Sequence, residues 1–222
     1  MEVEAHNSRR FVLTLLRHGE SVGNAESRWQ GRSDFPLTDA GRAQVHALAE
    51  RWRAENMVFD LILTSTLKRA VETAEIIGAA LHVPVEQDPM WLERDVGSLA
   101  GLRPAEVRER LPDGIASSPF EAISGDGEGD WQLFLRAGQA LHGILQRPSG
   151  SYLVVSHGGI LNATMHAVLG ITPRAHASGV RFRLANTGFA RILYSAADHR
   201  WEIDALNDHA HWSDGRTVAP EA

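Results

Sequence analysis

Three short apolar runs, Phe11–Leu16, Phe59–Thr64 and Tyr152–Ser156, each break off into a cluster of polar and charged residues. An apolar run of this length suits a strand covered on both faces, as in a parallel sheet. Helical periodicity fills the intervals. Leu67, Ala70, Val71, Ala74, Ile77, Gly78 and Leu81 recur at three- and four-residue steps, which predicts a helix over Thr66–Leu81. Apolar stripes or runs predict further helices over Gly41–Trp52, Asp130–Gln146 and Gly159–Leu169. Strands alternating with helices give a mostly parallel sheet with helices on both sides. Val180–Leu184 and Phe189–Tyr194 flank the turn signal Asn186-Thr187-Gly188 and predict an edge hairpin, with Trp201–Leu206 as a last strand. Leu111–Gly129, rich in Pro and Gly, reads as a long irregular loop of the kind that covers or lines a site.

The carboxyl ends of parallel strands share one edge, and ligands bind there. The first run leads into Arg17-His18-Gly19-Glu20-Ser21, with Asn24 just beyond. The second leads into Ser65-Thr66-Leu67-Lys68-Arg69, and the third into Ser156-His157-Gly158-Gly159. Taken singly, an Arg-His pair reads as surface chemistry and a His-Gly-Gly as a turn. Together at three strand ends they bring two arginines and two histidines to one place. Helices starting after Ser65 and after Gly158 would aim backbone N–H groups at the same point. Such a site suits a phosphate dianion.

Composition narrows the alternatives. With 222 residues the chain is long enough for one sizeable core, and it reads as a single domain with its core over about 11–206 and a polar tail at 207–222. The absence of cysteine removes disulfides, thiolate nucleophiles and thiolate metal sites. Lys and Arg number 22 against 28 Asp and Glu, a net charge of −6, which speaks against nucleic acid or an anionic membrane as partner. No apolar run approaches the ~20 residues of a membrane span. The opening MEVEAHNSRR lacks an apolar leader, so a cytoplasmic location is expected. Asp208-His209-Ala210-His211 contains metal-ligand residue types but reads better as polar tail. Trp29, Trp91 and Trp131 read as packing residues, with a pocket wall as the alternative.

The segments LLRHGESVGN, QGRSDFPLTDAGRAQ, LTSTLKRAVETAE, WLERDVGSLAGL and VVSHGGI together resemble the histidine phosphatase superfamily, which holds the cofactor-dependent phosphoglycerate mutases and many small phosphatases. The resemblance runs from about Phe11 to Leu169. It implies a three-layer α/β/α sandwich, a phosphohistidine intermediate on His18, and a small phosphorylated metabolite as substrate. By the same resemblance Arg17, Arg69 and His157 surround the transferring phosphoryl oxygens, and Glu93 is the general acid and base. Residue chemistry alone leaves Glu93, beside Arg94 and Asp95, as a solvated ion pair. Asn24, Ser21, Gln30, Gly31 and Gly158 fall where the family binds substrate, and Glu128 matches its Gly-Glu loop. Arg32 could reach the substrate or stay in solvent, and Arg103, Arg108 and Arg110 read as the solvated face of a short helix. No metal is implied, because the cations already balance the phosphoryl charge.

Two reactions fit this machinery. A phosphomonoesterase passes the phosphoryl group to water. A mutase returns it to the bound acid and uses 2,3-bisphosphoglycerate as a primer, the one cofactor that enters. The mutases continue the Glu block with Gly-Leu-Asn-Lys and an insertion bearing paired arginines. This chain has Gly101-Leu102-Arg103-Pro104 and a short acidic, Gly-rich stretch, so carboxylate clamping is weaker and hydrolysis is expected. A silent phospho-ligand-binding module ranks last, since no catalytic residue type is missing. A homodimer through the edge strand is compatible with the pattern.

Overall fold

The computed structural model describes residues 9–112, 118–174 and 179–212. Six strands form one sheet: β1 (Arg10–Arg17), β2 (Leu61–Thr64), β3 (Val85–Gln87), β4 (Gly150–Ser156), β5 (Phe189–Ser195) and β6 (Arg200–Asp208), in the order β3-β2-β4-β1-β5-β6. The first four in that order are parallel, and β5 and β6 are antiparallel to their neighbours. The helices are α1 (Val22–Ala25), α2 (Asp39–Ala54), α3 (Lys68–Leu81), α4 (Pro104–Arg110), α5 (Asp130–Leu145) and α6 (Gly158–Leu169).

Two apolar layers sandwich the sheet. On one face α5 and α6 bury Leu133, Ala137, Leu141, Ile144, Ile160, Leu161 and Met165 against Phe11, Leu13, Leu15, Tyr152 and Val154. On the other, α2 and α3 bury Val45, Leu48, Trp52, Ala70, Ala74 and Ile77 against Leu16, Ile62, Leu153 and Val155. Alternate residues of the central strands thus serve opposite faces, which is why those strands read as continuous apolar runs. Trp52 anchors its layer, edge-on to Phe59 and Phe189 at 5.2 and 5.3 Å. The sandwich expected from the strand–helix alternation is the one observed. No helix among the described residues is long and apolar enough to cross a membrane.

Local chemistry moves several boundaries. α2 starts at Asp39 because Thr38 accepts the Gly41 N–H at its hydroxyl, the usual work of a capping residue. β3 escapes the pattern because its three residues are all exposed. The hairpin expected from Val180–Leu184 is not formed, since β5 pairs with β1 and β6 instead. That segment has no strand structure, and side chains take up much of its backbone bonding. Leu184 O accepts from Arg17 Nη1, Phe182 O from Asn162 Nδ2, and the Ala185 N–H goes to Asn207 Oδ1. The tail is also anchored further than its polarity suggests. Arg51 grips Asp208 with two bonds of 2.6 and 2.8 Å, and His211 Nε2 meets Thr187 Oγ1 at 2.9 Å. Residues 213–222 lie outside the described residues, as do 113–117 within the expected irregular stretch, whose described part contains no helix or strand.

Candidate active site

Sheet register brings the three polar clusters together. Arg17 stands opposite Ser156 on β4, and Thr64 opposite Val155, so the residues that follow each strand leave at one edge. The His18 N–H continues the ladder to Ser156 O at 3.0 Å. Beyond it the Gly19 and Glu20 N–H groups donate to Thr73 Oγ1 on α3 and Gln44 Oε1 on α2. The loop is thereby fixed from both helices.

His18 is 3% exposed. Its Nδ1–H donates to Gly19 O at 2.7 Å, which places the proton on Nδ1 and leaves a lone pair on Nε2. Burial, then the positive charges of Arg69 and Arg17, hold its pKa well below the ordinary 6.5. The ring is neutral at pH 7. The His157 ring centroid lies 5.1 Å away, and burial, Arg69, His18, Arg17 and Arg136 depress that pKa in the same way. His157 Nδ1 accepts from Arg69 Nε at 3.2 Å, and its Nε2–H donates to Ser65 Oγ at 2.8 Å.

Arg69, 1% exposed, also donates to Ser33 O at 2.7 Å and to Gly31 O at 2.9 Å. Burial pushes its pKa down to about 10, against the pull of Glu93 and Asp34, so it keeps its charge at neutral pH. Gly31 sits at φ +47° with no room for a side chain beside Val96, a backbone shape that turns its carbonyl to Arg69. Arg17 comes from the end of β1, with Gly158 against its guanidinium.

Glu93 approaches from the loop after a single helical turn, Pro89–Trp91, which Ser156 Oγ ties to β4 through Trp91 O at 2.6 Å. Its Oε2 accepts the Gly159 N–H at 3.0 Å, and its Oε1 accepts those of Ile160 and Arg94 at 3.2 and 2.7 Å. The carboxylate rests on the positive end of α6. Gly159 is required there, because a Cβ would fall inside the van der Waals envelope of Glu93 Oε1. The expectation that helix N-termini would face an anion directly is modified accordingly. The α6 amides serve Glu93, and the first amide of α3, Lys68 N–H, serves Asp34 Oδ1 at 2.7 Å.

The remaining expected residues divide by task. Ser21 caps α1 and donates to Gln30 Oε1 at 2.6 Å, so both side chains build the loop. Asn24 Oδ1 accepts from Ser21 N–H and Asn186 Nδ2, leaving its amino end as the one it can offer a ligand. Arg32 lies at an open hollow with Asp95, Asp126, Gly127, Glu128 and Gln132, paired to Asp95 at 3.3 Å and Glu128 at 3.8 Å. Arg103, Arg108 and Arg110 flank or sit on the exposed side of α4. Trp91 is fully buried, and Trp131 packs with its ring tilted against those of Phe120 and Phe134. Sequence reasoning missed the site role of three residues. Ser65 holds His157, Asn186 bonds His18 O at 3.0 Å, and Arg136 braces the Glu93 loop. Ser65 heads the second polar cluster, but its partner, like the roles of Asn186 and Arg136, leaves no mark in sequence, because each acts on backbone or on another side chain.

A profile of the histidine phosphatase superfamily (branch 1) matches residues 13–209. The chain belongs to this superfamily. A Yersinia enterocolitica protein named probable phosphoglycerate mutase GpmB is 35% identical over 208 residues, covering 89% of this chain and 93% of that one. Among solved structures, Bacillus stearothermophilus YhfR matches with a TM-score of 0.79 at 32% identity, over 90% of this chain and 98% of its own. A mycobacterial glucosyl-3-phosphoglycerate phosphatase, solved with VO3, matches with a TM-score of 0.73 at 28% identity, over 90% and 99%. Members of this superfamily are thus named both as mutases and as phosphatases.

Proposed function

We propose that the chain is a metal-independent phosphomonoesterase for a small phosphorylated metabolite. The observation that carries this reading is the His18 ring: neutral, proton held on Nδ1 by Gly19 O, Nε2 lone pair available, and two arginines close enough to depress its pKa. Nε2 attacks phosphorus in line, the bond from phosphorus to the ester oxygen breaks, and Glu93 gives that oxygen its proton. Three backbone donors occupy three of the roughly four lone-pair positions of the Glu93 carboxyl, which leaves the fourth to face the leaving oxygen. Water then attacks the phosphohistidine, Glu93 takes its proton, and His18 and inorganic phosphate are released.

Arg17 and Arg69 balance the charge on the phosphoryl oxygens. His157 fixes the Arg69 guanidinium through Nδ1, and its Nε2–H passes from Ser65 to a phosphoryl oxygen. Asn24 offers its amide N–H. Four fixed cationic or neutral donor groups of this sort do what a metal would do as an electrophile, so a chelator is expected to leave turnover intact.

Hydrolysis is favoured over transfer by the surroundings of the site. Arg32, which lines the hollow, is already paired to Asp95 and Glu128, and Arg108 and Arg110 are exposed on their helix. The arginines at 32, 108 and 110 thus make no ready clamp for a substrate carboxylate. The mutase reading is supported by the name of the 35% identical relative. Phosphorus NMR of 3-phosphoglycerate with a trace of 2,3-bisphosphoglycerate, in EDTA, separates the two. Accumulating inorganic phosphate supports the phosphatase; 2-phosphoglycerate without inorganic phosphate overturns it.

A further inference from the structure

Arg136, on α5, turns its whole guanidinium to the loop that carries Glu93. Nη1 donates to Met90 O at 2.9 Å and Leu92 O at 2.6 Å, and Nη2 to Glu93 O at 3.2 Å. The Nε and Nη2 edge meets Glu128 Oε1 and Oε2 at 2.8 and 2.7 Å. The two side chains are 13% and 11% exposed. Glu128 reaches the same loop from the other side. Its Oε2 accepts the Asp95 N–H at 3.3 Å, and its own N–H donates to Asp95 O at 2.7 Å.

We propose that Arg136 and Glu128 are a positioning pair for Glu93, acting on proton transfer through the loop rather than on the substrate. The proposal rests on the reading of Glu93 as general acid and base. A two-pronged carboxylate contact fixes the plane of a guanidinium, and that plane then sets three carbonyl oxygens between residues 90 and 93. The backbone of Glu93 is held at its carbonyl by Arg136 while its carboxylate is held by α6. Only a planar fork with five N–H groups spans these acceptors, and a lysine ammonium cannot. Displacing a catalytic group by about 1 Å costs on the order of a hundredfold in rate, so the pair matters most when a proton has to be delivered.

The test compares leaving groups. Rapid-quench measurement of the first phosphorylation of His18 uses glycerol phosphate, whose alkoxide needs a proton, and dinitrophenyl phosphate, whose phenolate does not. Arg136→Lys is expected to slow the first by roughly a hundredfold and the second by less than ~3-fold. Glu128→Gln, which keeps an acceptor for Arg136, is expected to show the same split more mildly and covers the case in which Arg136→Lys folds poorly. Glu93→Gln is the reference and should show the split in full, with the double variant no slower than Glu93→Gln alone. Equal slowing of both substrates by Arg136→Lys and Glu128→Gln, with the split intact in Glu93→Gln, overturns the positioning role alone. A Glu93→Gln variant without the split removes the acid assignment itself, and the pair's role with it.

Discussion

A histidine that attacks phosphorus must stay neutral and keep one nitrogen bare, and His18 meets both needs from its immediate neighbours. Gly19 O takes the Nδ1 proton, and burial with Arg69 and Arg17 disfavours a second proton. A histidine NMR titration is therefore expected to show the His18 and His157 rings neutral as pH falls through 6.5, with protonation only well below it. A midpoint near 6.5 for His18 would contradict the geometry. Arg69 is the second residue on which the site turns, since it ties His157, Gly31 and Ser33 in one plane. Arg69→Lys keeps the charge but loses the fork. It should lower kcat/KM by roughly a hundredfold or more, about 3 kcal/mol of transition-state stabilisation, measured on any phosphomonoester the enzyme turns over. His18→Ala should abolish turnover. At this scale the sequence was informative wherever a strand end delivered a side chain, as for Arg17, His18, Arg69 and His157. It was silent on Arg136 and Asn186, which act by hydrogen-bonding backbone carbonyls, and a carbonyl leaves no mark on residue type.

Elements set where those residues meet. β1, β2 and β4 were legible because burial on both faces makes their sequences apolar throughout, and the helices because one apolar stripe faces the sheet. β3 was not, since a three-residue exposed edge strand needs no particular side chains. The Val180–Leu184 segment misled for the opposite reason. Its alternation of apolar and polar residues suits a strand, but β5 already fills the place beside β1. Its carbonyls instead pin Arg17 and Asn162. The start of α6 shows an element adapted to chemistry. Alanine is intrinsically favoured over glycine in a helix by up to ~1 kcal/mol, yet at Gly159 a Cβ would push the Glu93 carboxylate off the helix end. Gly159→Ala should leave the thermal midpoint unchanged or slightly higher while turnover of an alkyl phosphate falls at least tenfold. A variant that melts early would place the effect in folding rather than in Glu93.

For the whole molecule, the chain's end is fastened back to its middle, and that fastening is titratable. β6 delivers Asp208 to Arg51 of α2, which also lies over the Phe189 ring at 5.7 Å. Three residues on, His211 bonds Thr187, whose N–H is donated to Arg17 O and His18 O. Burial, with a lesser contribution from Arg51, pushes the His211 pKa down from 6.5 to about 4, and His18 and His157 are also depressed. The unfolded chain therefore binds more protons than the folded one once the pH drops below about 6.5, and folding stability falls as pH falls. The loss due to His211 runs from about 6.5 to about 4, whereas the contribution of Asp208, held below the ordinary carboxylate value by Arg51, persists until the pH passes below 3.8. Urea midpoints measured from pH 7.5 down to 4.5 should decline steadily. His211→Gln, which keeps an N–H donor for Thr187 and cannot titrate, should flatten part of that decline and leave the remainder to the two site histidines. A wild-type midpoint that stays level across this range would mean that these three rings are no harder to protonate in the fold than in the open chain. The dry site built around His18 would then be far wetter than its packing shows.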